Sequence, residues 1–259
     1  MLRFCSLGSG SSGNATLIEA SSGITTSRVL LDCGFTQREL KIRLERAGLT
    51  VDGIDAIFVT HEHGDHIGCT TALAKRHDIP IWMSRGTWRA AGQPDLGDLL
   101  HFARDGDCIE LGDVQLMPYT VPHDAQEPLQ ACFSDGALRL GVLTDAGSIT
   151  EHLLAMLKGC DALLLECNHD RELLAQSRYP WSLKQRIGGR LGHLANDTAA
   201  EILSACMHSS LRHVVAAHLS RENNRPELAL TALAQAVGAD ACDMRAAGPQ
   251  WGFDWIDLA

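Results

Sequence analysis

The segment "VTHEHGDHIG" constrains this chain more than any other. It places His61, His63, Asp65 and His66 directly after the apolar run "IDAIFVT", Ile54–Thr60. Crowded imidazoles and carboxylates need partners once they leave water. A short loop fed by a rigid strand can point all four donors into one small volume. Neutral imidazole and carboxylate are the right donors for zinc, manganese or iron. Three more donors follow apolar runs: His123 in "TVPHDA", Asp145 in "GVLTDAG" and His218 in "VVAAHLS". Each alone reads as a turn or surface residue. As an ordered set at strand ends they read as a metal site. The first two histidines with a later third would make a tri-histidine set, and Asp65 with His66 would start another.

The fold must then supply several strands that end together. Strands are expected at Arg3–Leu7, Ala15–Glu19, Arg28–Gly34 and Ile54–Thr60, with a helix over Gln37–Gly48 between the last two. A second block of strands spans "VQLMPYT", "LQACFS", "LRLGVLT", "DALLLECN" and "LRHVVAAH". It is accompanied by helices over "SITEHLLAMLKGC", "NDTAAEILSACM" and "RPELALTALAQAVG". Ser148 with Glu151 has the spacing of a capping box, and Asn196 or Asp197 is placed to cap the next helix. Two strand blocks with flanking helices predict an α/β fold, an αββα sandwich of two mixed β-sheets with outer helices. No linker or repeat divides the 259 residues, so one domain over 1–259 is expected.

The net charge is −10, which weakens overall attraction to polyanions and leaves any nucleic-acid contact to local patches. Nine cysteines without a CxxC pair fit a reduced, cytoplasmic setting. The opening "MLRFCSLGSG" lacks the apolar stretch of a signal peptide, and no apolar run is long enough to span a bilayer, so no membrane partner is expected.

The order H-x-H-x-D-H, His, Asp, His resembles the metallo-β-lactamase superfamily over nearly the whole chain. The resemblance implies two divalent metal ions, zinc or manganese, with iron as a further option. It assigns His61, His63 and His123 to one ion and Asp65, His66 and His218 to the other, with Asp145 bridging. Two such cations would acidify a bridging water and clamp the attacked group, with Asp65 orienting the hydroxide. Four further stretches are similar to the YycJ/WalJ-like branch, bacterial cytoplasmic proteins regarded as DNA exonucleases. They are "SLGSGSSGN" (Ser6–Asn14), "YPWSLKQRI" (Tyr179–Ile187), "GHLAND" (Gly192–Asp197) and "HLSRENN" (His218–Asn224). Ala195 stands where that branch carries serine. This implies a DNA exonuclease, 5′ to 3′, with nucleic acid as substrate; a homodimer is compatible with the superfamily.

The residues suit phosphodiester cleavage on their own terms. His193 is a candidate to bind a phosphoryl oxygen or protonate the leaving oxygen, or else to cap the helix that follows. Lys184, Arg186, Arg190 and Arg221 are candidate phosphate contacts, or ordinary solvated charges. Tyr179 and Trp181 can stack on bases, or simply pack. Ser11 and Ser12 in the Gly/Ser turn either face substrate or close a tight hairpin. Asn168, His169 and Asp170 are placed to orient the metal-binding histidines. Two other functions compete: a small-molecule phosphodiesterase or a lactone or thioester hydrolase on the same site, and a non-catalytic binding protein.

Overall fold

The computed structural model describes residues 1–238 and 242–258. The N-terminal half builds β1 (Leu2–Gly8), β2 (Ala15–Ser21), β3 (Thr26–Leu31), β4 (Ala56–Phe58), β5 (Ile81–Met83) and β6 (Leu100–Phe102). Between them lie helices α1 (Gln37–Arg46), α2 (Gly64–Ile67), α3 (Thr70–His77) and α4 (Arg85–Ala90). The second half builds β7 (Ile109–Leu111), β8 (Val114–Thr120), β9 (Leu129–Ser134), β10 (Arg139–Leu143), β11 (Ala162–Glu166), β12 (His213–Ala217) and β13 (Asp243–Ala246). Its helices are α5 (Glu151–Leu157), α6 (Arg171–Gln176), α7 (Trp181–Ile187), α8 (Asn196–Cys206) and α9 (Pro226–Val237). The last strand, β14 (Phe253–Asp257), returns to the first sheet and pairs antiparallel with β1.

The two seven-stranded sheets run β14-β1-β2-β3-β4-β5-β6 and β13-β12-β11-β10-β9-β8-β7. Each mixes antiparallel hairpins with a parallel run, β3 to β6 in one and β10 to β13 in the other. Phe4, Ile18 and Phe58 face Leu116, Phe133 and Val142 in a core between the sheets. Leu40 and Leu44 of α1 and Leu73 of α3 cover the outer face of the first sheet. Leu153, Leu203 and Leu233 from α5, α8 and α9 cover that of the second. This is the expected αββα layering. Cys5, Cys132, Cys160 and Cys206 are buried free thiols, as their apolar surroundings predict.

Two expected caps are not formed. Thr150, not Ser148, caps α5, its hydroxyl accepting from Leu153 N at 3.1 Å, while Ser148 donates to Arg190 O. Helix α8 begins behind Ala195 with no side-chain cap. The Asn196 amide is buried and spent in a reciprocal pair with Asn224, at 2.8 and 2.9 Å. In both cases a tertiary partner takes the side chain that local spacing assigned to the helix. The strand expected in "PIWMS" is β5, whereas the three-residue β6 and the short α4, α6 and α7 carry too few residues to show a period.

Candidate metal centre

Antiparallel pairing of β9 with both β8 and β10 makes β8 run parallel to β10, β11 and β12. Their C-terminal ends, with that of β4, converge on one edge of the sandwich. The end of β11 supplies Glu166, and the connections beyond the strands deliver His61, His123, Asp145 and His218, at the place where open α/β sheets bind ligands. The short helix α2, which carries Asp65, is pressed against the turn after β3. A Cβ on Gly34 would overlap the Asp65 carbonyl, so only glycine admits this approach. Asn14 N donates to Asp65 O at 2.8 Å and fixes this helix from the other side.

The seven metal-ligand candidates named from the sequence are brought together. His61 Nε2 and His123 Nε2 lie 3.0 and 3.3 Å from His63 Nδ1. His66 Nε2 lies 3.0 Å from Asp145 Oδ2 and 3.8 Å from Asp65 Oδ2, and Asp65 Oδ2 lies 3.4 Å from His218 Nε2. Donor atoms fall within 4.8 Å of one another in the sets His61–His63–His123, Asp65–His66–His218 and His61–His66–Asp145. The Asp145 oxygen nearest His66 is buried and, despite its closeness, makes no hydrogen bond of acceptable geometry. A buried carboxylate oxygen without a hydrogen bond is costly unless something else binds it. Imidazole and carboxylate donors aimed at a shared volume fit a divalent metal, and the cluster is capable of holding one.

Several orienting groups were not among the sequence candidates. Asp32 accepts from Thr60 N and Thr60 Oγ1 at 2.8 and 2.9 Å, and its Oδ2 lies 2.8 Å from His66 Nδ1. Glu166 is fully buried. Its Oε1 lies 2.8 Å from His193 Nδ1 and 3.3 Å from His218 Nδ1, and its Oε2 accepts from Ala146 N and Leu194 N. The signal for both was an acidic residue closing an apolar strand, in "VLLD" and "LLLE". Asp32 and His218 hold left-handed φ angles of 57° and 54°. Such backbone costs about 1–3 kcal/mol and concentrates at functional sites.

The expected orienting trio Asn168, His169 and Asp170 divides. Asn168 Nδ2 donates to His218 O at 2.9 Å and so supports a site histidine. Asp170 instead caps α6 through Leu173 N, and His169 Nδ1 is buried with no hydrogen-bond partner among the described residues. His193 does not cap α8; its ring faces the centre, tied to Glu166.

The charges interlock. Burial opposes ionisation of His66, but Asp145 and Asp32 outweigh it and hold its pKa well above the usual value. Burial likewise opposes charge on His218 and His193. Asp145, Asp65 and Glu166 around the first, and Glu166 and Asp145 around the second, push their pKa values up to about 9 and about 10. Asp65 resists the upward push of burial because His218 and His66 bring it down to about 2. His61, with burial dominant, is held well below the ordinary histidine range. In the protein alone, protons on the histidines answer the carboxylates; a cation in the same place would displace them.

The cluster opens into a cleft of about 350 Å³ lined by Ser11, Asp65, Asp124, Arg186 and His193, among others. Arg186 pairs with Asp124 at 2.5 Å. Of the other substrate candidates, Trp181 is 75% exposed and Tyr179 half-buried. Lys184 Nζ donates to Ala175 O at 2.6 Å, holding α6 to α7, and Arg221 donates to Ser12 Oγ at 3.0 Å. Thus Ser11 and Arg186 border the cleft, while Lys184 and Arg221 are engaged within the protein.

Comparison with known proteins points the same way. Residues 8–157 match the family model of the metallo-beta-lactamase superfamily. Exodeoxyribonuclease YycJ of Bacillus anthracis is 33% identical over 240 residues, covering 91% of this chain and 89% of that protein. Exodeoxyribonuclease WalJ of Streptococcus pneumoniae serotype 2 is 32% identical over 245 residues, covering 92% and 89%. Among solved structures, the metallo-beta-lactamase fold protein YhfI of Bacillus subtilis superposes with a TM-score of 0.74 at 16% identity, covering 98% of both chains. A diphosphatase of the PhnP family gives 0.68 at 19% identity over 99% of this chain and 98% of its own. At these identities the likeness of the structures is one of fold.

Proposed function

This chain belongs to the metallo-β-lactamase superfamily, and we propose that within it the chain works as a dinuclear, metal-dependent exodeoxyribonuclease. The observation that carries the reading is the convergence of two donor sets around Asp145 at the floor of a cleft. Similarity to the two exodeoxyribonucleases over more than nine-tenths of the chain supports DNA as the substrate. His61, His63 and His123 would hold one ion, Asp65, His66 and His218 the other, with Asp145 between them; zinc and manganese both suit these donors. When bound, the ions supply an acidified water and positive charge against the phosphoryl oxygens.

The protein's own groups do the rest. Asp65 orients the attacking water by accepting its hydrogen bond. His123 Nδ1 donates to Gly192 O at 3.0 Å, which fixes the tautomer and turns Nε2 inward. His193 keeps Nδ1 on Glu166 and presents Nε2 to the leaving oxygen as general acid. Arg186, at the rim, exchanges Asp124 for a phosphate oxygen. A cleft of about 350 Å³ is near the small end of ligand sites and suits one terminal nucleotide better than the middle of a duplex. Digestion from the 5′ end is the direction that goes with this reading.

The test is a gel time course with manganese-loaded protein on linear DNA labelled at the 5′ or the 3′ end, with Asp65→Ala as control. Early release of labelled 5′-terminal nucleotides, absent in the variant, is expected. Hydrolysis of bis-p-nitrophenyl phosphate without cleavage of any DNA would instead assign a small-molecule phosphodiesterase.

A further inference from the structure

The Gly/Ser loop separates two depressions. Ser11 lines the cleft over the metal centre. Its neighbour Ser12 lines a second groove of about 510 Å³, bordered by Glu39, Arg43, Arg46, Arg221 and Trp251 among others. The loop is therefore a shared wall. It is also anchored to what lies beyond: Ser9 N donates to Gly248 O at 3.1 Å, and Ser9 Oγ accepts from His218 N at 2.8 Å.

At the far side of the groove the chain makes a tight turn from Gly248 to Gly252, closed by two mutual main-chain bonds of 3.1 and 2.9 Å. Gly252 has φ 54°, and a Cβ there would overlap the Ser6 carbonyl, so the turn is seated directly on β1. Arg43 donates to the carbonyls of Pro249 and Gln250 at 3.2 and 2.9 Å, and Arg46 adds bonds of 3.2 Å to Gln250 O. At the tip of this braced turn sits Trp251, 71% exposed, with the Arg46 guanidinium 4.6 Å from its ring centroid. The turn that carries it is held by these main-chain and arginine bonds.

Two of the charges beside it lack a carboxylate partner among the described residues. Arg43 meets Glu39 at 2.9 Å and Arg186 meets Asp124, but Arg46 gives its bonds to main-chain carbonyls and Arg221 to Ser12 Oγ. Neither Arg46 nor Arg221 pairs with a carboxylate among the described residues. In a chain of net charge −10, two guanidiniums that lack a carboxylate partner among the described residues, beside an exposed indole and next to the cleft, form a local exception. An aromatic platform for bases with cations along the backbone is how proteins hold single-stranded nucleic acid without reading its sequence.

Resting on the nuclease reading, we propose that this groove is a binding track for single-stranded DNA, which carries the strand beyond the scissile phosphate. A base stacks on Trp251, and Arg46 and Arg221 take the phosphates on either side. Such a track would hold the polymer between successive cuts. It would contribute nothing to a substrate too short to reach past the Ser11–Ser12 wall.

The test compares a dinucleotide with a single-stranded oligonucleotide several times longer, using manganese-loaded protein, with bis-p-nitrophenyl phosphate as the reference substrate. In the unmodified protein KM should fall with length. Trp251→Ala should remove about tenfold of that gain, and Trp251→Phe should keep most of it. Arg46→Gln should lower the slope of log KM against log salt by about 0.7, one phosphate contact on a single strand. Bis-p-nitrophenyl phosphate turnover should be unchanged in all three variants. An unaltered length gain and salt slope in Trp251→Ala and Arg46→Gln would overturn the track while leaving the nuclease intact. Equal loss on bis-p-nitrophenyl phosphate would overturn it too, by making the turn a support for the site. If the unmodified protein cuts no DNA yet hydrolyses the small phosphodiester, the nuclease reading falls and the track falls with it.

Discussion

Glu166 Oε1 lies 2.8 Å from His193 Nδ1, and the same oxygen lies 3.3 Å from His218 Nδ1. One buried carboxylate thus orients the residue proposed to protonate the leaving group and a residue proposed to hold metal. Glu166→Gln keeps the volume but removes the charge. It is expected to lower kcat on DNA by about tenfold or more and to weaken metal retention, because groups behind metal ligands carry effects of about 10–100-fold. Steady-state kinetics with metal analysis of the purified variant checks both. Unchanged kcat and metal content would end this account of Glu166.

His193→Ala separates the proton donor from the metal centre. Turnover on DNA should drop by about 10²–10⁴, with bound metal equal to that of the unmodified protein. Loss of one equivalent of metal on elemental analysis would make His193 a ligand.

Asp65→Ala should abolish hydrolysis with little loss of thermal stability, since the side chain is partly exposed beside the cleft. A variant that retained near-normal activity would contradict the dinuclear mechanism.

Metal uptake should release protons and strengthen as pH rises. His218 and His193 are held at about 9 and about 10 by neighbouring carboxylates, so both are charged at neutral pH in the metal-free protein. A cation must displace the protons on His66 and His218, a cost that falls as pH rises. Titration calorimetry in buffers of different ionisation enthalpy measures the protons directly. Affinity that stays flat from about pH 6, near the ordinary histidine pKa, to about pH 9 would refute the expectation.

Away from the centre, Glu19 bridges Arg3 and Arg28 at 2.6 Å each on the first sheet. Burial pushes its pKa up, but the two guanidiniums outweigh it and hold it below the usual glutamate range. A lowered folded-state pKa gives stability that is present above the unfolded value of about 4.5 and lost as pH falls through the folded one. Glu19→Gln should therefore cost about 1–3 kcal/mol at pH 7. The gap should close in acid, as read by denaturant unfolding across pH.

The metal-ligand candidates were legible because a strand followed by H-x-H-x-D-H is a local pattern. The later donors His123, Asp145 and His218 each close an apolar strand in the same way. The two-sheet layering was legible from period and order along the chain, as the burial of Phe4, Phe58, Phe133 and Val142 between the sheets bears out. What the residues alone determined was which chemistry can exist here: imidazole and carboxylate donors on rigid strand ends, whatever their neighbours. What only the tertiary structure decided was the use of groups whose partners lie far away in sequence. Asp32 reaches Thr60 and His66, Glu166 reaches His193 and His218, and Asn196 leaves its helix for Asn224. The turn that exposes Trp251 is bonded to Arg43 and Arg46, some two hundred residues away. A side chain's periodicity and spacing record its own element. Its hydrogen-bond partners are set by how the elements pack, and that is settled only when the two sheets close on each other.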